Sequence, residues 1–499
     1  MSHSDLEKSS VHQVEEVALH GHAGTDKYGR PLVQVDHVAE GRLARKIDWH
    51  ILPPVALIYL FCFIDRANIG NARVAGLEKD LGLQGYDYNI LLTSFYVAYV
   101  VFEFPMQMLN KWMGPGRSIP LLSFCFGVLT FAVAYCHTFG AVVAVRFLLG
   151  VAEGAIFPGL ALYLSRFYTK DELGFRLACY IVCAPLAGAV GGLLASGILK
   201  LSPIGSVHTW RLIFFVEGII SMGIGALSWF FLPDRPDTCR WLSEEEKALC
   251  ATRIKSENVG QTEVVDTMHW SAVKHGIFNP TTLVSSLIFL FDNITVQGVG
   301  FFLPTIIRTI YPGRSTIEVQ LRSVPPYVVG AFFTLLTGYL SFKTKKRALW
   351  MCASAPFMII GYIMYVASLD PLVRYAAAFM VAIGAFNFGA FCTAWSAANQ
   401  TSDTGRAAAL GTTVFFGNVG GLISTWMFLP QHAPRYLPGN VTNLITSSLM
   451  LILAALMWWW QIKENKARDA GRDDHMLEGR TMEELNQMGQ KNPAFRFQY

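Results

Sequence analysis

The chain has 499 residues, of which 53% are hydrophobic and 15% charged, against roughly a quarter charged in an average soluble protein. Its net charge of +4 is modest and comes without a basic stripe interleaved with aromatics, so no nucleic-acid surface is expected. Apolar residues recur in blocks of about 18 to 25, each long enough to cross a bilayer, which excludes an ordinary soluble enzyme.

The first fifty residues, opening MSHSDLEKSS, are polar and lack a basic region running into an apolar one. No cleavable secretory signal is expected, and the first span itself directs insertion. Six apolar runs follow near 51–69, 88–109, 119–136, 139–161, 175–199 and 210–232. A polar stretch from Pro233 to Pro280 contains SEEEKALCATRIKSE, which reads as a surface helix. Six more runs lie near 281–307, 323–342, 348–367, 372–394, 406–429 and 443–462. The closing FRFQY is neither a prenylation box nor a retention signal.

The predicted fold class is therefore an all-α membrane protein, with twelve transmembrane helices in two pseudo-symmetric six-helix halves. Residues 1–50 form a cytoplasmic tail, 51–232 the first bundle, 233–280 a cytoplasmic linker, 281–462 the second bundle and 463–499 a second cytoplasmic tail. Duplicated halves of this kind place a substrate site at midplane between them.

Orientation follows from Lys and Arg near span ends. Arg42, Arg45 and Lys46 precede the first span, Lys111 and Arg117 follow the second, and Lys170 and Arg176 follow the fourth. Lys343, Lys345, Lys346 and Arg347 follow the eighth, and Lys463, Lys466 and Arg468 the last. All fall on one side if both termini are cytoplasmic. The opposite loops carry fewer, with His137 between spans three and four, Arg374 between nine and ten and Arg435 between eleven and twelve. Of three glycosylation sequons, those at Asn293 and Asn399 fall in a span and on the cytoplasmic side, leaving Asn440 as the external candidate.

Gly150, Gly154 and Gly159 in span four, and Gly188, Gly191, Gly192 and Gly197 in span five, mark close helix approach. The nine Cys have no paired spacing, and most sit singly in apolar runs (Cys62, Cys125, Cys136, Cys179, Cys183, Cys352 and Cys392). They read as small buried residues, not as a disulfide framework or a metal site, and no cofactor is expected. No G-x-x-x-x-G-K-[ST] motif occurs, which argues against ATP-driven transport.

Function is most legible where charge interrupts an apolar run. Asp65 and Arg66 do so in span one, Arg146 and Glu153 in span four, at a joint cost on the order of 10 kcal/mol if left unpaired. They must face one another, water or a ligand. At about 1.5 Å per residue, Arg66 and Arg146 lie at similar depth. Two guanidiniums level with each other in a wet cavity suit an anion, and their planar forks match a carboxylate. Arg146 and Glu153 are too far apart along one helix to pair, and the adjacent Asp65 and Arg66 point about 100° apart, toward different partners. The functional reading gives the anion to Arg66 and Arg146 and proton coupling to Asp65 and Glu153; the alternative makes all four static ion pairs. Asp292, with Asn293 and Gln297, interrupts span seven and is a candidate substrate or proton contact. Glu103, Asn387 and Asn418 read as hydrogen bonds within the bundle, Asn418 also standing among the candidate substrate contacts with Asp292, Gln297 and Tyr99.

IDRANIGNARVAGLEKDLGL after span one, GPGR at 114–117, RFLLGVAEGAIFPG in span four, LPDRPD and WLSEEE after span six, and FFLPTII in span seven together resemble the fungal allantoate-permease branch of the anion:cation symporter family, within the major facilitator superfamily. The resemblance covers most of residues 45–460 and extends distantly to sialin and galactonate transporters. It implies proton coupling at Asp65 and Glu153 and anion binding at Arg66 and Arg146. It further implies import, with protons, of a small monocarboxylate such as nicotinate, pantothenate or allantoate, by a monomer in the plasma membrane, with a vacuolar or vesicular membrane as the alternative. The loop after span two departs from the general facilitator pattern G-x-x-x-D-R-x-G-R in lacking its acidic residue, and APLAGAVGG in span five does not supply the G-P-x-x-G-G of drug:proton antiporters. Efflux of a fungal secondary metabolite is the competing function, and a non-transporting nutrient sensor a third.

Overall fold

The computed structural model describes residues 22–25, 31–33, 37–168, 172, 176, 179–180, 182–205, 207–257, 270–400, 403–472, 475, 490, 492–493 and 495–499. Lys170, residues 258–269 of the linker and residues 401–402 after span ten lie outside them. Eleven described helices are long and apolar enough to cross a membrane: α1 (Ala39–Asp80), α2 (Asp87–Asn110), α3 (Pro115–Val133), α4 (Phe139–Leu164), α6 (Trp210–Phe231), α7 (Pro280–Ile310), α8 (Thr316–Thr344), α9 (Arg347–Ala367), α10 (Pro371–Ala398), α11 (Thr404–Ser424) and α12 (Leu437–Asp469). The shorter apolar helix α5 (Cys183–Ile198) completes twelve. A short antiparallel hairpin, β1 (His22–Thr25) with β2 (Pro31–Val33), adds a little strand to the polar N-terminal tail.

Local sequence fixes many helix starts. Asn279 accepts from the Thr281 amide ahead of Pro280, and Asp370 accepts from the Leu372 and Val373 amides ahead of Pro371. Each supplies a carbonyl or carboxylate oxygen to orphan N–H groups, with Pro where its missing donor costs nothing. Ser315 caps α8 and Thr138 caps α4 in the same way.

The helices pack as a duplicated set. In the first half α1 packs on α5 and α6, α2 on α4, and α3 on α6; in the second, α7 packs on α11 and α12, α8 on α10, and α9 on α12. Each pair is its counterpart shifted by six, as parallel repeats require. The breaks repeat too: Phe139–Glu153 of α4 and Pro371–Ala385 of α10 are both 15 residues long, and each is followed by a two-residue turn before helix resumes at Ile156 and Phe388. Glycine permits the closest approaches: a Cβ on Gly150 would strike the Phe95 carbonyl of α2, and one on Gly70 of α1 would lie 2.6 Å from the Phe301 carbonyl oxygen of α7.

Across the halves α1 meets α7, α2 meets α11, and α5 meets α8. Thr93 and Thr425 hydroxyls lie 3.1 Å apart, Ser196 donates to Gln320 at 3.3 Å, and Thr316 and Arg308 both donate to the Val74 carbonyl. Among the described residues, hydrogen bonds between the halves run from mid-bundle to the end opposite the linker, which is thereby closed.

The linker end is tied within each half instead. Lys46 reaches Glu246 of the helix Glu244–Glu257 at 2.7 Å, Asp48 pairs with Arg176 at 2.8 Å, Arg253 with Glu172 at 2.7 Å, and His50 stacks on Trp241. Gly114 of the GPGR turn takes φ +83°, and Asp234 of LPDRPD folds against it, accepting from the Gly116 amide at 3.0 Å and pairing with Arg166 at 3.2 Å. Another segment thus brings an acid to the turn after α2 that lacks its own. In the second half Gln498 and Asn399 exchange two hydrogen bonds of 2.9 Å, seating the C-terminal residues on the end of α10.

Candidate functional site

Asp65 and Arg66 sit side by side on α1 and send their charges different ways. The Arg146 Nη1 of α4 donates to Asp65 Oδ2 at 3.0 Å, and the Thr130 hydroxyl of α3 donates to Asp65 Oδ1 at 3.0 Å. Arg66 Nε donates to Glu153 Oε2 at 2.8 Å. The two ion pairs are crossed between the helices, α1 acid to α4 base and α1 base to α4 acid, and Arg146 and Glu153 do not pair with each other. The Arg66 guanidinium also lies 5.0, 5.4 and 4.9 Å from the ring centres of Phe63, Phe95 and Tyr99. Aromatic faces of this kind stabilise a desolvated cation.

A cavity of about 640 Å³, counting space open to solvent, lies between the halves. The first half contributes Tyr59, Phe63, Arg66, Tyr99, Phe157 and Ala184; the second contributes Asp292, Asn293, Gln297 and Asn418 among aromatic and aliphatic side chains. The expected candidates Arg66, Tyr99, Asp292, Gln297 and Asn418 are therefore brought to one space. Asn418 both lines it and donates to Glu103 Oε2 at 3.0 Å, linking α11 to α2 across the halves. Asn387 hydrogen-bonds within its own bundle, accepting from Thr337 at 2.9 Å and donating to Ser354 at 3.1 Å.

Arg146 departs from the expectation that two guanidiniums share this space. It is 3% exposed, is absent from the lining, and lies over Phe214, with Nε and Nη2 finding no hydrogen-bond partner among the described residues. Helical rise sets a level along α4 but says nothing of which way the residue turns. Asp65 takes it as a counter-ion instead, since an unpaired buried carboxylate is costly. Asn440 needs a correction as well. Its side chain is buried and donates to the Arg435 carbonyl at 2.9 Å, leaving no accessible amide for a glycan.

One buried acid was passed over. Glu217 of α6 is fully buried; its Oε2 accepts from Asn68 at 3.0 Å and its Oε1 has no hydrogen-bond partner among the described residues. Asp65, Glu153 and Glu217 make three carboxyl groups against the two guanidiniums of Arg66 and Arg146, so this buried set has one acid without a cation. The signal was available: Glu217 interrupts the run WRLIFFVEGII as plainly as Asp65 interrupts its own.

Twelve apolar helices in two repeated halves around a cavity that carries a few polar groups among aromatic walls define a multi-pass membrane transporter. The chain belongs to the Major Facilitator Superfamily, whose profile matches residues 55–425. It is 30% identical over 475 residues to the high-affinity nicotinic acid transporter of Saccharomyces cerevisiae, covering 95% of this chain and 88% of that one. It is also 30% identical over 497 residues to the major facilitator-type transporter hxnP of Emericella nidulans, covering 97% and 98%. The fold matches that of the proton:xylose symporter XylE, with a TM-score of 0.61 at 15% identity over 82% of this chain and 95% of that one.

Proposed function

We propose that the chain is a proton-coupled importer of a small organic anion, a monocarboxylate of the nicotinate, pantothenate or allantoate kind. It acts as a monomer in the plasma membrane with both termini in the cytoplasm, within the allantoate-permease branch its motifs resemble. The observation that carries this reading is the pairing of Arg66 with Glu153 at 2.8 Å on the wall of the cavity.

A substrate carboxylate and Glu153 are rivals for one guanidinium. A proton on Glu153 removes its charge and frees Arg66 for the incoming anion, and departure of the proton restores the internal pair and expels the substrate. Proton and substrate binding then favour each other by the same factor, as linkage requires. Asp65, held by Arg146 and Thr130, is the second coupling group, and Arg146 serves as its counter-ion. The relative named for nicotinic acid supports a carboxylate substrate.

Proteoliposomes holding a pH-sensitive dye test the reading. Nicotinate, pantothenate or allantoate added outside should carry protons inward, and Glu153→Gln should retain substrate exchange while losing gradient-driven accumulation. No proton movement with any carboxylate, or outward substrate movement against inward protons, would favour the efflux function instead.

A further inference from the structure

The cavity holds a second ionisable group, a carboxyl, on the opposite wall, and nothing in the coupling scheme uses it. Asp292 of α7 is 1% exposed, lines the cavity, and its Oδ1 has no hydrogen-bond partner among the described residues. No Lys, Arg or His stands with it on the second half's share of the lining. The neighbouring amides are turned elsewhere: Asn293 donates to the Phe289 carbonyl, Gln297 to Asn293, and Asn418 to Glu103. An ionised carboxylate so placed is expensive in a membrane and is ordinarily found paired.

We propose that Asp292 determines specificity, so that the cavity takes a carboxylate that also carries a cationic or proton-donating nitrogen. The carboxylate goes to Arg66 of the first half and the nitrogen to Asp292 of the second, with the aromatic walls enclosing the body between them. This rests on the organic-anion reading of the same cavity. A plain monoanion meets attraction from Arg66 and repulsion from Asp292, whereas a ligand with both charges satisfies both walls. Such a ligand also ties the two halves together, which makes its binding strongest in the state where both walls reach it.

Three probes of similar shape test this on the full-length protein in proteoliposomes: benzoate with no nitrogen, nicotinate, and N-methylnicotinate with a fixed cation on the ring. Competition against labelled nicotinate should show N-methylnicotinate binding at least roughly tenfold tighter than benzoate, the scale of one hydrogen-bonded or paired charge. Asp292→Asn should reduce that preference to within about threefold, by weakening N-methylnicotinate and strengthening benzoate, and Asp292→Glu should keep it. Equal binding of benzoate and N-methylnicotinate to the unaltered protein overturns the inference and leaves the anion cavity standing. So does an equal loss for both probes in Asp292→Asn, the result of a purely structural or proton-carrying carboxyl. Failure of every carboxylate to bind the unaltered protein instead overturns the anion cavity itself, and this inference with it.

Discussion

Arg146 Nη1 lies 3.0 Å from Asp65 Oδ2, and both side chains are almost completely buried. Removing one partner of such a pair leaves the other charge stranded, at about 3 to 5 kcal/mol. Arg146→Ala is therefore expected to act first on the bundle, lowering its melting temperature in detergent well before binding can be assayed. Arg146→Met combined with Asp65→Leu should recover much of that loss. Full thermal stability in Arg146→Ala alone would show that the pair does not hold the first half together.

Arg66 is expected to behave differently. Arg66→Lys keeps the charge but loses the planar fork that pairs with Glu153 and lies over three aromatic rings. Substrate binding should weaken by roughly tenfold or more, with the melting temperature little changed. Unaltered affinity in Arg66→Lys would remove this residue from the substrate contacts.

Glu217 has an amide partner and no cation, so charge at this position costs more than it contributes. Glu217→Gln retains an oxygen to accept from Asn68 and should leave stability unchanged or raised. Glu217→Ala opens a hole and strands the Asn68 amide, and should melt lower. The reverse order in a thermal melt would mean that Glu217 is held as a paired anion.

Thr93 and Thr425 bring hydroxyls within 3.1 Å across the closed end, and cysteine matches threonine in reach. Thr93→Cys with Thr425→Cys should form a disulfide under mild oxidant, lock this end shut and stop transport, with reductant restoring it. Undiminished transport after complete cross-linking would show that the closed end need not open.

Lys46 and Glu246 join the linker helix to α1. The hydrogen bond from Lys46, then that from the Ser243 amide, hold the Glu246 carboxyl below its ordinary range. A lowered folded-state value means that this contact contributes above the unfolded carboxylate value of about 4.3 and is lost as pH falls through the lowered one. Amide protection of residues 244–253 should thus be flat from pH 8 to pH 6, apart from intrinsic exchange chemistry, and fall only in acid. Loss of protection near neutrality would point to a different latch.

The twelve crossings were legible because a bilayer admits few alternatives: backbone polar groups must be satisfied inside each span, so apolar length alone identifies the spans. Arg66 and Asp292 were legible for the same reason, as charges in places that forbid idle ones. Glu217 is equally visible in the sequence, as an acid inside the run WRLIFFVEGII. What could not be read was rotation. Helical rise sets the level of Arg146 but not its facing, and only the packing of α4 against α2 and α3 decides that it serves Asp65 instead of the cavity. The docking of Asp234 on the GPGR turn was hidden because its partners are 118 residues apart in sequence.

The interruption of α4 falls immediately after Glu153, and its counterpart in α10 falls at Phe386, a residue on the cavity wall. Each half therefore carries a break at this level, and on the coupling proposed above the break of the first half adjoins the acid that would trade partners with the cargo. If Glu153 is that acid, gain or loss of a single H⁺ acts where the backbone already leaves regular helix, so chemistry and a change of helix direction would share one joint.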